Sequence, residues 1–340
     1  VIQTQTANTD LKWEFTNEIN IGADFGFLNQ RITGSFDYFM RNTTNILIEP
    51  PQLAVLGAGG RLWENGATMK NNGWELMIGY NNGSGPDFRY HITGNIGGSR
   101  DKVTYLPSSV VSAYPGNFEQ TILGHSITSN FGYVTDGIFQ NQSEVDKSAT
   151  QTGKGIGRIR YKDLNGDGVI DDRDQAWLGN SLPDFEYGLN AVFNYKRFQF
   201  SFFIQGVHGL MVYNSNRNQA TFYGSFAGQN NSAQILNAWT PQHTNTDIPA
   251  VSNFSQNNET RESSYQIQNA SYLKLKDVQL GYNRPQAIQA KLRMTNALVY
   301  ISGSQLLTIK SKNFSAPDPE NPANNYPIVQ GFTIGLHASF

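Results

Sequence analysis

The chain has 340 residues, room for one large or two ordinary domains, and a formal charge of −2 from 25 Lys and Arg against 27 Asp and Glu. Only 15% of residues are charged, against roughly 25% in soluble domains, whereas Gly (33), Phe (21) and Tyr (16) are abundant and Cys is absent. These values exclude a disulfide framework, a thiol nucleophile and a basic footprint for nucleic acid. No run approaches the ~18 apolar residues of a membrane helix. A membrane β-barrel, whose strands alternate, stays open.

In chain order, the first segment with a clear period runs from 13 to 28. Phe15, Ile19, Ile21, Ala23, Phe25 and Phe27 alternate with Glu14, Thr16, Glu18, Asn20, Gly22, Asp24 and Gly26, which predicts a strand with one greasy and one hydrophilic face. A turn at Asn29-Gln30 leads into 31 to 48, where Ile32, Phe36, Tyr38 and Met40 repeat the pattern, so the two form a long hairpin. Strands are expected next at about 61 to 80 and 87 to 105. Phe185 to Tyr195 and Phe198 to Ile204 form a second hairpin with a tight turn near Lys196. Three more strands follow at about 263 to 283, 293 to 309 and 327 to 340, nine in all. In the first of these, Leu273 and Leu275 change parity to Val278, Leu280 and Tyr282, which a β-bulge near Lys276-Asp277 explains.

The connections are as informative as the strands. Those at 29 to 30, 81 to 86, 196 and 284 to 292 are short, and those at 49 to 60, 106 to 183, 214 to 262 and 310 to 326 are long. Strict alternation of this kind suits an up-and-down antiparallel barrel crossing an outer membrane, with short periplasmic turns and long extracellular loops. The fold class expected is therefore all-β, a transmembrane up-and-down β-barrel. The last strand places Phe332, Ile334, Leu336, Ala338 and Phe340 toward lipid and Thr333, Gly335, His337 and Ser339 inward. Its ending, with Thr333, Gly335, Ala338 and Phe340, resembles the terminal signal read by outer-membrane barrel-assembly machinery. Nine is an odd number, and bacterial single-chain barrels have even ones. The sequence is accordingly read as an incomplete barrel, with Val1 at an internal break.

Asp163-Leu164-Asn165-Gly166-Asp167-Gly168-Val169-Ile170-Asp171-Asp172-Arg173-Asp174 matches a twelve-residue calcium loop. Side-chain oxygens would come from Asp163, Asn165 and Asp167, a carbonyl from Val169 and outer ligands from Asp171 and Asp174, with the turn at Gly168. Asp174 replaces the usual bidentate Glu and no amphipathic helix precedes the loop, so the pattern is nearer a dockerin-type repeat, and the ion's role would be structural. The alternative is an Asn/Asp/Gly turn without an ion. The histidines at 91, 125, 208, 243 and 337 are dispersed and lack zinc spacing. No GxSxG is present, and Glu14, Glu18, Asp24 and Asp37 read as lumen-lining carboxylates, so no catalytic residue is assigned and an enzyme is not expected. The loop aromatics Trp177, Phe222, Tyr223, Phe226 and Trp239 are candidates for contact with sugar rings or peptide side chains, against a role in loop packing or an interfacial belt.

Several ordered segments resemble the C-terminal half of the SusC/RagA family of TonB-dependent outer-membrane transporters. They are Asn8 to Glu14 with Asn20 to Phe25 and Ser35 to Phe39; Asn72-Gly73-Trp74-Glu75-Leu76; Tyr161 to Asp174; Trp239-Thr240-Pro241 with Thr246 to Pro249; Ala270 to Lys276 with Leu280-Gly281-Tyr282; and Asp318-Pro319-Glu320. The resemblance implies a plugged barrel of about 22 strands, of which these would be the final nine. It also implies a SusD-like lipoprotein over the extracellular mouth and import of oligosaccharides or peptides energised by a TonB complex that acts on the plug. Plug, TonB-contact segment and first strands would all precede Val1. Two other readings remain: a passive or structural outer-membrane barrel, and a secreted calcium-binding β-rich adhesin or enzyme, in which a second sheet would bury Phe198, Phe200 and Phe202.

Overall fold

A computed structural model describes residues 8–49, 63–82, 87–112, 121–222, 232–252, 258–283, 294–322 and 328–339. The first four strands are β1 (Phe15–Phe27), β2 (Ile32–Ile48), β3 (Glu64–Asn81) and β4 (Phe88–Tyr105). Four short strands follow in the long connection after β4, the first of three insertions (106–183, 214–262 and 310–326): β5 (Ser129–Tyr133), β6 (Thr135–Ile138), β7 (Ile159–Tyr161) and β8 (Gln175–Asn180). The hairpin of β9 (Phe185–Tyr195) and β10 (Phe198–His208) precedes the small β11 (Met211–Tyr213) and β12 (Ile267–Asn269). Three long strands close the chain: β13 (Tyr272–Asn283), β14 (Asn296–Lys310) and β15 (Gly331–Ser339).

Nine of these make one antiparallel sheet in the order β1-β2-β3-β4-β9-β10-β13-β14-β15. Every neighbour in the sheet is the next long strand in the chain, which is the up-and-down wiring that the loop lengths predict. Connections run long after β2, β4, β10 and β14 and short after β1, β3, β9 and β13. Among the described residues, β1 and β15 do not pair with each other, so the sheet is an open wall.

Several boundaries differ from the sequence reading: the last strand, expected from 327, begins at Gly331, and the strand expected to end at Ile204 runs on to His208. The strand expected from 263 begins only at Tyr272, because the Asn269 side chain accepts from the Ser271 N–H at 2.8 Å and turns the chain. Residues before that turn pair as β12 with β11 instead. The strand expected from 61 begins at Glu64, with 61 and 62 outside the described residues. The bulge lies where the change of parity places it. Phe203 and Ile204 on β10 oppose Asp277 and Leu275, leaving Lys276 as the extra residue.

The wall is not held together by a core between two sheets. Its outward apolar residues are uncovered, including Ile21 (64% exposed), Ile334 (83%) and Phe332 (78%). Phe198 and Phe200 are also exposed, so among the described residues no second sheet covers them as the secreted reading requires. On that face Phe88, Tyr90, Phe193, Phe200 and Phe202 pack ring to ring with centroids 5.4 to 6.4 Å apart. Buried hydrophobic clusters lie instead at the long-loop end. One gathers Ile159, Tyr161, Ile170, Phe222 and Tyr265, and another Val212, Ala270, Phe314 and Ala316.

Candidate functional site

The long insertions fold against one another, and buried charge fixes the joints. Arg158 pairs with Glu259 at 3.0 Å, and the Ile159 N–H donates to the same carboxylate at 2.9 Å. Burial raises the pKa of Glu259 although Arg158, the Ile159 N–H and Arg261 all favour its charged form. Arg217 pairs with Asp247 and lies 3.8 Å from the centroid of the Tyr265 ring. Arg261, from the second insertion, lies 4.8 Å from the centroid of Tyr133 and 4.5 Å from that of Tyr161, both in the first. Burial also pushes both tyrosine hydroxyls to higher pKa.

The third insertion is tied to the wall. Lys274 on β13 is fully buried, and its Nζ lies 2.7 Å from Asp318 and 2.6 Å from Glu320. Lys276 at the bulge also reaches Glu320, at 2.6 Å, and the Tyr272 hydroxyl donates to it at 3.1 Å. Burial opposes ionisation of Glu320, but hydrogen bonds and charge from Lys274 and Lys276 together hold its carboxyl below the usual range.

An open cleft of about 780 Å³ lies among these insertions, lined by residues that include Asn130, Phe131, Tyr133, Asp172, Trp177 and Arg261. Of the three loop aromatics singled out in the sequence that are among the described residues, Trp177 alone is placed on this cleft. Its ring stacks 4.3 Å from His125 and lies 4.9 Å from Phe131. Phe222 is buried and stacked on Tyr265 at 5.4 Å. Trp239 is buried, its indole N–H donating to Gln140 Oε1 at 2.8 Å. Those two therefore sit in loop packing. Tyr223 and Phe226 lie outside the described residues, as does Phe340. Sequence reasoning missed Arg261 and Asn130, for which no motif or period gives a signal.

The calcium-type loop adopts a compact turn with Gly168 at φ +82°, a conformation that favours glycine. Its side chains are engaged by its own backbone. Asp163 accepts from the N–H groups of Gly166 and Gly168 at 2.6 and 2.8 Å, Asn165 from Asp167 at 2.9 Å and Asp167 from Val169 at 2.9 Å. Asp174 is fully buried and accepts from Leu164 and Asp171 at 2.8 and 2.9 Å. Arg173 lies 2.7 Å from both Asp167 and Asp171, and its hydrogen bond holds the Asp171 carboxyl below its usual range. The donor chemistry, all oxygen, suits a hard cation. Among the described residues, however, no three acidic or histidine side chains converge on a metal-sized point.

In the last strand Thr333, Gly335 and Ala338 lie opposite Ser302, Tyr300 and Ala297. Gly335 leaves room there for the outer end of the Tyr300 ring, which an added Cβ would displace.

Comparison with known proteins now decides the family. Residues 2–121 match the model described as TonB dependent receptor-like, beta-barrel. TonB-dependent receptor P3 of Formosa agariphila is 31% identical over the whole chain and 35% of its own length. TonB-dependent receptor SusC of Bacteroides thetaiotaomicron is 28% identical over 98% of this chain and 32% of its own. The chain belongs to the SusC/RagA family of TonB-dependent receptors. It spans about a third of the length of these curated relatives. The structure of the RagAB peptide transporter shares the fold, with a TM-score of 0.76 over 98% of this chain and 36% of that one, at 23% identity. Membership of this SusC/RagA family agrees with the nine-strand wall and its long-loop end.

Proposed function

We propose that this chain forms wall and extracellular loops of an outer-membrane importer of oligosaccharides or peptides, without enzymatic activity. In this reading a SusD-like lipoprotein covers the long-loop end, and TonB supplies energy through a plug. The carrying observation is the sheet itself: nine consecutive strands with an uncovered apolar face and alternating short and long connections. In lipid that face is solvated, whereas in water it would be an aggregation surface. The family assignment supports the same reading, since the relatives are named TonB-dependent receptors and the structural relative is named a peptide transporter.

The test uses the full-length receptor in its own host. It should fractionate with the outer membrane, co-purify with a lipoprotein, and support uptake that ends when TonB is removed. Recovery in a soluble fraction would refute the location. Uptake indifferent to TonB would favour a passive barrel. We further assign Thr333, Gly335, Ala338 and Phe340 to recognition by the barrel-assembly machinery, and calcium to the loop Asp163 to Asp174 with Asp163, Asn165, Asp167, Asp171 and Asp174 and the Val169 carbonyl as ligands. Calcium entry would require Arg173 to leave Asp167 and Asp171.

A further inference from the structure

The cleft among the insertions contains a cation held in place without an acceptor for one of its donors. The Arg261 guanidinium lies against Tyr133 and Tyr161, with ring centroids 4.8 and 4.5 Å from its Cζ and 5.7 Å from each other, so the two rings support it as neighbours. Its Nε donates to the Asn258 carbonyl at 2.9 Å. Nη2 is covered and has no hydrogen-bond partner, and the same is true of Asn130 Nδ2. Both residues line the cleft. The acids nearby do not meet this need. Glu259 is committed to Arg158 and the Ile159 N–H, and Asp172 accepts from the Tyr133 hydroxyl at 3.0 Å.

A guanidinium packed on two neighbouring rings and tied through Nε to a carbonyl has lost much of its rotameric freedom in advance, and its planar fork matches a carboxylate. A covered donor without an acceptor is costly, and a ligand oxygen that met it would remove that cost. Asp172 and Glu262 on the same cleft oppose a densely charged polyanion. What remains favoured is a single carboxylate carried beside an apolar or ring surface, which Phe131 and Trp177 can receive.

We propose that this cleft is a carboxylate-recognition subsite for the imported molecule, with Arg261 and Asn130 as donors and Trp177 beside them for the adjoining ring or apolar group. The proposal rests on the importer reading and narrows its substrate to molecules that carry a free carboxylate. Because the two donors are covered, a ligand reaches them by displacing a lining side chain, so binding is accompanied by rearrangement of the cleft wall. The carboxylate can belong to a peptide or to a uronic acid.

The experiment is titration calorimetry on the full-length receptor with its lipoprotein. One arm compares alanyl-phenylalanine with its C-terminal amide, and the other compares trigalacturonate with its methyl ester. We expect the acid to bind at least about tenfold more tightly than its neutral form in one arm, and that arm identifies the source. Arg261→Met should abolish the preference. Since Arg261 also braces two tyrosines, Asn130→Asp is the second variant. It should weaken the acid at least about tenfold and leave the neutral form unchanged. Equal binding of acid and neutral forms, an acid preference that survives both variants, or no binding in either arm would overturn the proposal. The importer reading is scored separately, by TonB-dependent growth on nutrient mixtures, and fails only if receptor deletion changes none.

Discussion

Lys274→Met is the most exacting test of how the loops are anchored. The substitution keeps an unbranched, apolar side chain on β13 and removes an ammonium that is fully buried against Asp318 and Glu320. Glu320 keeps Lys276 at 2.6 Å and the Tyr272 hydroxyl at 3.1 Å, but Asp318 loses its ion-pair partner. Removing one member of a buried ion pair costs about 3 to 5 kcal/mol, because the remaining charge stays desolvated. At about 1.4 kcal/mol per decade, the lower figure raises the open population of the third insertion about 100-fold. Hydrogen exchange of the full-length receptor reads this directly at residues 314 to 320, where the Glu320 N–H donates to Asp318 at 2.8 Å. Adding Asp318→Asn to Lys274→Met should recover most of the protection, since Glu320 keeps Lys276 and the neutral amide at 318 leaves no buried charge uncompensated. Exchange rates within about threefold of wild type in the single variant would refute the argument.

Four further outcomes are expected. Glu320 has a folded pKa below its unfolded value, so its stabilisation is full above the unfolded value and is lost as pH falls through the folded one; the same exchange experiment should show protection of residues 314 to 320 constant near neutrality and declining only in acid. Gly132→Ala would place a Cβ 2.5 Å from the Glu262 carbonyl oxygen, forcing the backbones apart at a cost of about 1 to 3 kcal/mol, visible as faster proteolysis of the first insertion. Cysteines at Phe198 and Phe200 in the reconstituted receptor should react with a lipid-phase maleimide and not with a water-soluble one, because both positions face outward on the wall. Arg173→Ala should tighten calcium binding to the loop by removing the cation 2.7 Å from Asp167 and Asp171, and calorimetry with calcium chloride that finds no binding in either protein would rule the ion out.

The wall was legible because its rules are local and periodic. All nine strands, the order of short and long connections and the bulge at Lys276 follow from alternation of residues such as Phe198, Phe200 and Leu280 with polar neighbours. Where alternation was the only guide it overreached, as before Tyr272, where one Asn269 side chain outweighs propensity. The loops were far less readable. Phe222 and Trp239 look in sequence like ligand-contacting aromatics, yet whether an aromatic packs or projects depends on partners tens of residues away, Tyr265 and Gln140 in these cases. Arg261 carries no sequence signal at all, since its meaning arises only when Tyr133 and Tyr161, a hundred residues or more upstream, pack against it.

The cross-bracing of the insertions has a consequence for how such receptors diversify. Arg261 joins the second insertion to the first, while Asn214 and Gln268 bond Ser315 and Asn313 of the third at 2.9 and 2.8 Å. The loops are therefore one interlocked body with shared keystones, and a single loop grafted from a cousin would arrive without its counterparts. On the proposed importer reading, a new cargo preference is acquired by exchanging residues on the rim of the cleft, or by transplanting the whole assembly at once, with the wall beneath serving as an interchangeable chassis.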